Sequence, residues 1–204
     1  MPKTGNNRGF TIIEILIALA LGLIVFASLF MVFNAENRSY ALQADIAEMQ
    51  QNARAALEIM SREIRMAGYD PTGTALAGIV EAEKDRIHFT LDITSTYGPD
   101  EPDGDTQDPN EDVVYSLYTS SGIQKLGRRT GNGVNQPVAE HIDDLTFEYL
   151  TDSGGAATSV SEIGKIRIRL TARTADSDPG YNDPVHGDHY RRYTIETLIT
   201  PRNL

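Results

Sequence analysis

Two acidic stretches contain residue types that bind metal ions. Asp103, Asp105 and Asp108 are spaced so that a turn could present several carboxylate oxygens, and Ca²⁺ takes roughly six to eight oxygen ligands in proteins. The spacing differs from that of an EF-hand, and a solvated surface loop accounts for the same residues. The sequence therefore predicts no cofactor, with these three aspartates as the calcium ligands if that ion binds at all.

The second stretch places His186 and His189 three residues apart, with Asp183 and Asp188 beside them. Such a set could hold a transition metal, but a loop with two histidines beside Gly187 is more often simply polar. The chain has no nucleophile elbow, phosphate-binding loop, zinc-protease helix motif or dinucleotide fingerprint. These patterns predict that the protein is not an enzyme.

A third pattern lies near the N-terminus, where Gly9 and Phe10 come directly before Thr11-x-x-Glu14 and an uncharged run at residues 15–33. Nineteen residues at about 1.5 Å each would cover roughly 28 Å, close to the roughly 30 Å apolar core of a bilayer. Thirteen of the nineteen are Ile, Leu, Val or Phe, and their insertion outweighs the cost of one acidic residue at the end of the run. We therefore predict a membrane-spanning helix, which Thr11 and Glu14 could begin with a capping box.

The order of these features differs from that of a secretory signal peptide. A signal peptide has an apolar segment of about 7 to 15 residues followed by a small-residue cleavage site. Here the short polar segment 1–9, with Lys3 and Arg8 as its charges, precedes the apolar run. The two basic residues favour a cytoplasmic N-terminus, which would place the C-terminal part across the membrane.

The chain contains Gly9-Phe10-Thr11-Ile12-Ile13-Glu14. This stretch resembles the class III signal of type IV prepilins and type II secretion pseudopilins. The resemblance implies that a prepilin peptidase cuts between Gly9 and Phe10 on the cytoplasmic side and methylates the new amine of Phe10. It also implies a role in assembly for Glu14, which would neutralise the Phe10 amine of a neighbouring subunit.

Residues 51–58 and 61–69 resemble the stretch that follows the anchor helix in PilW-type minor pilins, and PulJ-type minor pseudopilins are the nearest alternative. The resemblance implies a structural subunit of a type IV pilus, in a tip or priming complex. It implies as partners a prepilin peptidase, other minor and major pilins through the N-terminal helix, the inner membrane and the pilus assembly platform. It also implies an inner-membrane protein with a periplasmic head that later reaches the cell-surface pilus. An adhesin or binding module displayed on a pilus is the alternative from another functional class.

The negative net charge of the chain limits the kinds of partner that it can bind. The formal net charge is −11, and removal of Lys3 and Arg8 with the leader takes away +2, leaving −13. A surface this acidic argues against binding nucleic acid through a broad basic patch, so no nucleic-acid partner is predicted. The chain has no cysteine, and its loops must therefore be stabilised without disulfides.

Beyond the span, apolar residues recur at steps of three and four from Leu42 to Ala67, which indicates that the helix continues with one apolar face. Gly68 is the expected C-terminal cap. Arg54 and Glu58, and Glu58 and Arg62, are spaced for i,i+4 ion pairs on a solvated face. We expect the outer half of the helix to pack on its own head domain, with a separate coiled coil as the alternative.

Alternating apolar residues after Gly68 predict strands around Ile87, Val113, Leu145 and Ile166, with further strands at residues 123–126 and 193–199. The loops at 98–112 and 174–189 are predicted to be mobile surface connections. The fold class predicted is α+β and pilin-like, a long N-terminal helix packed on an antiparallel β-sheet head. The predicted segments are the leader at 1–9, the transmembrane part at 10–34, the amphipathic part at 35–67 and the head at 68–204.

Overall fold

The computed structural model describes residues 9–94 and 101–204, so most of the predicted leader lies outside the described residues. Its fold is α+β, with one long N-terminal helix packed on antiparallel sheets, as predicted. The helix α1 spans Ile12–Ile64. The strands are β1 Ile79–Ala82, β2 Arg86–Thr90, β3 Asp112–Ser120, β4 Ile123–Thr130, β5 Gln136–Glu140, β6 Ile142–Leu150, β7 Lys165–Arg173 and β8 Arg192–Ile199, with a 3-10 turn at Val160–Glu162.

The chain divides into two compact units, one ending at Ala44 and the other running from Asp45 to Leu204. The first unit contains the N-terminal part of α1. The second contains the rest of α1 together with the eight strands. The outer part of the helix therefore belongs to the same compact unit as the sheets.

The strands form two antiparallel sheets, whereas the sequence pattern predicts one. The first sheet has the order β1-β2-β3-β4-β5 and the second has the order β6-β7-β8. Strands β1 and β5 are absent from the prediction, because β1 is only four residues long and β5 contains Pro137. Proline cannot donate a ladder hydrogen bond, but β5 is an edge strand, where this loss is tolerated.

The two sheets meet where β6 passes the turn between β1 and β2. The Phe147 N–H donates a hydrogen bond to the Lys84 carbonyl oxygen at 2.7 Å. The Tyr149 hydroxyl oxygen lies 3.0 Å from the Glu83 carbonyl oxygen, to which it donates. Burial raises the pKa of Tyr149 well above its usual value, so this donor keeps its proton at neutral pH.

One face of α1 provides the centre of the core. Its buried side chains recur at steps of three and four, as the sequence predicts. The opposing side chains come from alternating positions of both sheets. The helix contributes Met49, Ala53, Ala56, Leu57, Met60 and Ile64, and the sheets contribute Ile87, Phe89, Tyr115, Ile166, Ile168 and Leu170, among others.

The helix ends at Ile64, and a turn leads to Gly68, which has a φ of +79° as expected of a C-terminal cap. The Gly68 N–H donates to the Thr90 carbonyl oxygen at 3.0 Å. A Cβ atom at Gly68 would lie 2.6 Å from the backbone oxygen of Asn203. Glycine is therefore required both by the left-handed conformation and by the close approach of the C-terminal segment.

Replacement of Gly68 by alanine is expected to lower the free energy of unfolding by about 3 kcal/mol, because an alanine pays about 1–2 kcal/mol for the left-handed conformation and a backbone clash adds to it. The matched control is Gly73→Ala, because Gly73 has a φ of +71° but no atom within 4 Å of its Cβ position. Denaturant unfolding of the full chain in detergent, followed by circular dichroism, compares the two. Equal losses would contradict the close approach to Asn203.

Candidate functional site

The N-terminus of α1 is closed by reciprocal hydrogen bonds between Thr11 and Glu14. The Thr11 N–H and the Thr11 hydroxyl each donate to Glu14 Oε2 at 2.9 Å. The Glu14 N–H donates to Thr11 Oγ1 at 3.3 Å. This capping box, predicted from the sequence, gives partners to N–H groups that the helix itself leaves without acceptors. It fixes the start of the helix directly after Phe10.

Gly9 and Phe10 lie in non-helical backbone immediately before this cap. Phe10 is 85% exposed, and no atom lies within 4 Å of the Cβ position at Gly9. Among the described residues, nothing covers Gly9 or Phe10, so a peptidase meets no steric obstacle from them at this bond.

The part of α1 that follows the cap is exposed all round, although it is almost entirely apolar. Every residue from 9 to 41 is exposed. Such a surface is unfavourable in water and calls for an apolar environment. Among the described residues, α1 is the one helix long and apolar enough to cross a membrane, and Glu14 stands at one end of its apolar run.

The N-terminal pattern is also recognised by comparison with known proteins. Residues 4–30 match the profile of the prokaryotic N-terminal methylation motif. The solved structure of a type IV-like pilin from Thermus thermophilus is similar to this chain, with 14% sequence identity, 76% of this chain and 97% of that chain covered, and a TM-score of 0.48. A search of curated protein sequences gave no match. The chain thus carries an N-terminal methylation motif directly at the capped start of its apolar helix.

The acidic loop, as far as it is described, is anchored by two fully buried carboxylates that the sequence pattern does not single out. Asp92 accepts hydrogen bonds from the N–H groups of Asp103 and Gly104, both at 3.2 Å. Glu111 Oε1 accepts one from the Thr94 N–H at 2.7 Å. The loop that the sequence pattern predicts to be a mobile surface connection is therefore tied to the core at both ends of its described part.

Two of the three aspartates considered for calcium accept hydrogen bonds within local turns, and the backbone of the third is bound to Glu111. Asp103 Oδ1 accepts from the Asp105 N–H at 3.3 Å, and Asp105 Oδ1 accepts from the Gln107 N–H at 2.8 Å. The Asp108 N–H donates to Glu111 Oε2 at 3.2 Å. No group of three or more His, Asp or Glu side chains in the described residues is arranged to hold a metal ion. Calcium binding by Asp103, Asp105 and Asp108 gains no support from this geometry and stays a prediction.

The second acidic loop is organised by Arg192, which the metal-site hypothesis did not include. Its guanidinium donates to Asp143 Oδ2 at 2.6 Å, to Asp183 Oδ2 at 3.1 Å and to Asp188 Oδ2 at 2.7 Å. The His186 ring nitrogen Nδ1 lies 3.1 Å from Asp183 Oδ1. The aspartates beside the two histidines therefore bind an arginine, and they fasten the loop to the start of β8.

These contacts lower the pKa values of the two loop carboxyls, Asp183 and Asp188. The hydrogen bonds from Arg192 lower the pKa of Asp188 to about 2. The hydrogen bond from the His186 N–H, with those from Val185 and Arg192, lowers the pKa of Asp183 well below its usual range. Both groups are thus stabilised in their ionised form.

Because these pKa values are depressed relative to about 3.9 in an unfolded chain, the stabilisation is complete above about pH 4 and is lost as the pH falls towards about 2. We expect Asp188→Asn to reduce stability at pH 6 and to flatten the acid-induced loss between about pH 4 and pH 2. Thermal unfolding at several pH values measures both effects.

The matched control for this prediction is Asp144→Asn, since Asp144 is exposed and its carboxylate accepts a hydrogen bond from the Thr146 hydroxyl and none from an arginine among the described residues. It removes one carboxylate from β6 without touching Arg192. If the stability of Asp188→Asn falls with decreasing pH in the same way as that of the parent and of the control, the Arg192 cluster does not stabilise the folded chain.

Proposed function

We propose that this chain is a structural minor pilin of the PilW type. In this proposal residues 10–34 insert into the inner membrane, a prepilin peptidase cleaves between Gly9 and Phe10, and the Phe10 amine is methylated. The mature subunit then enters a type IV pilus as part of its tip or priming complex. The observation that carries the proposal is the match to the methylation motif, which coincides with an accessible Gly9–Phe10 bond and a capped apolar helix.

The proposed partners follow from the same features. The exposed apolar part of α1 packs in the bilayer before assembly and beside the corresponding helices of other minor and major pilins afterwards. The pilus assembly platform moves the subunit between these two environments. The head faces the periplasm and later the cell surface, and it acts as a structural unit without catalysis.

Glu14 has two roles in this proposal. In the membrane-inserted monomer its carboxylate caps α1 through Thr11, as the distances of 2.9 Å support. In the filament it neutralises the positive amine of Phe10 on a neighbouring subunit, as the prepilin resemblance implies. An acidic group at the end of an apolar span is costly unless it is paired, so this pairing helps to draw the subunit out of the bilayer and sets its register.

Replacement of Gly9 by valine is expected to leave the protein in the membrane but unprocessed. The peptidase reads position 9, whereas insertion is driven by the apolar residues after it. Intact mass measurement of the membrane-purified protein gives the N-terminus. Gly22→Val is the control, since it makes the same change within the exposed span and should be cleaved. Mature protein that starts at Phe10 in the Gly9→Val variant would reject the assignment of the cleavage site.

Replacement of Glu14 by glutamine separates its two roles, because glutamine can keep the hydrogen bonds of the capping box but carries no charge. We expect normal cleavage and a normal membrane level, with incorporation into sheared pili reduced by about tenfold or more. Quantitative immunoblotting of sheared filaments measures this loss.

The matched control is Glu36→Gln, which removes one charge from an exposed residue of α1 outside the capping box and should assemble like the parent. Incorporation of Glu14→Gln at the parental level would reject the pairing role and leave only the cap. Loss of cleavage in the same variant would instead indicate that Glu14 acts at the processing step.

A further inference from the structure

A groove of about 370 Å³ runs between the outer part of α1 and strand β8 in the compact unit that begins at Asp45. Arg54 and Arg62 of α1 line it together with Arg65, which directly follows the helix, and Thr197 lines it from β8. We call this surface the arginine groove. Its floor is closed by Leu57, which is buried in the core.

The three arginines of the groove differ from most other arginines of this unit. Seven on the strands and loops are paired with carboxylates: Arg86 with Glu81, Arg128 with Glu63, Arg167 with Glu148, Arg169 with Glu196, Arg173 with Asp143, Arg191 with Asp178, and Arg192 with Asp143, Asp183 and Asp188. Arg129 and Arg202 have no ion pair among the described residues, but neither lines the groove. Among the described residues, the guanidinium groups in the groove have no carboxylate within ion-pair distance. They are positive charges exposed to solvent along one side of a groove.

The intrahelical ion pairs that the sequence predicts here are not formed. Glu58 lies four residues from both Arg54 and Arg62, yet it makes no ion pair with either in the described structure. Arg54 lies over the ring of Tyr193 instead, with 5.8 Å between its guanidinium carbon and the ring centroid. This contact packs the Arg54 side chain against β8 without neutralising its charge.

The groove is a local reversal of charge. Three arginines against one glutamate leave +2 within it, on a chain whose net charge is −11. The backbone of Arg202 is held at one end of the groove, where its N–H donates to the Arg65 carbonyl oxygen at 3.1 Å. A negatively charged partner is therefore attracted to this surface and repelled by most of the remaining head.

The dimensions of the groove favour an extended segment. Arg54 and Arg65 are eleven residues apart, which corresponds to about 16 Å along a helix. An extended chain covers this distance in about five residues, and its alternate side chains repeat about every 7 Å on one face. The opposite wall is β8, an edge strand of the three-stranded sheet, so an extended neighbour can run alongside it.

We propose that the arginine groove is a docking site for an acidic, extended segment of another protein, whose carboxylates pair with Arg54, Arg62 and Arg65. The proposal concerns the head unit and does not depend on the proposed assignment as a pilin. A second copy of this chain is disfavoured, because Asp103 and Asp105 of its acidic loop already accept backbone hydrogen bonds and its net charge of −11 repels a second copy. Double-stranded DNA is disfavoured because the positive surface is short and the rest of the chain is acidic.

The test uses the full chain in detergent and a fluorescent peptide in which glutamate alternates with threonine over seven residues. Fluorescence anisotropy at low salt measures binding, with the matched glutamine peptide and a short DNA duplex as further probes. The variant Arg62→Gln/Arg65→Gln removes two groove charges, and it should keep the fold because both side chains are exposed. The control Arg86→Gln/Arg169→Gln removes the same charge from paired arginines elsewhere.

We expect the parent and the control to bind the glutamate peptide alike and the groove variant to bind it about tenfold more weakly, since each exposed charge pair changes affinity by a few-fold. The glutamine peptide and the duplex should bind weakly to all three proteins. Equal binding by the groove variant, no binding by the parent, or preference for the duplex would overturn the proposal. Self-association of the parent that is lost in the groove variant, measured by sedimentation, would also overturn it in favour of a second copy.

Discussion

The head depends on the burial of one apolar face of α1. Ala53, Met60 and Ile64 are completely removed from solvent, and burial of a large apolar side chain contributes about 1.5–3 kcal/mol. Without this face, each of the two sheets would expose an apolar surface to water. Alanines on the same face let the sheets approach the helix closely, while methionines and isoleucines fill the space between them.

A polar contact fixes the end of that face. Glu63 Oε2 accepts a hydrogen bond from the Tyr115 hydroxyl at 2.8 Å and another from Arg128 Nε at 2.9 Å. Burial, together with the charge of Glu63, raises the pKa of Tyr115 well above its usual value, so the hydroxyl remains a donor at neutral pH. The helix and the five-stranded sheet are thus held in register by directional bonds as well as by apolar packing.

The sequence predicts well the features that depend on local periodicity. The helix, its capping box at Thr11 and Glu14, its cap at Gly68 and most strands follow from spacing alone. Features that depend on distant partners were missed. The alternating pattern places Asp92 on the solvated face of a strand. In the structure it is fully buried and accepts hydrogen bonds from two N–H groups of the acidic loop.

The division into two sheets and the ion pairs of Arg192 also depend on partners far apart in the chain, for which a single sequence contains no signal. Glu63 illustrates the same point. Its position in the helix predicts a solvated side chain, but its carboxylate accepts a hydrogen bond from Tyr115, which lies 52 residues away in the chain. The N-terminal methylation motif could be read from the sequence because its determinants are consecutive residues, and the motif matches residues 4–30; cleavage between Gly9 and Phe10 stays a prediction.

The proposed function joins this head to an apolar helix that is stable only in a bilayer or among similar helices. The most direct test is mass spectrometry of filaments sheared from cells that express the parental chain at its native level. The proposal predicts a minor component of the filaments that begins with N-methylated Phe10. Filaments that lack the chain, while the membrane contains it with its leader still attached, would contradict the assignment as a pilus subunit.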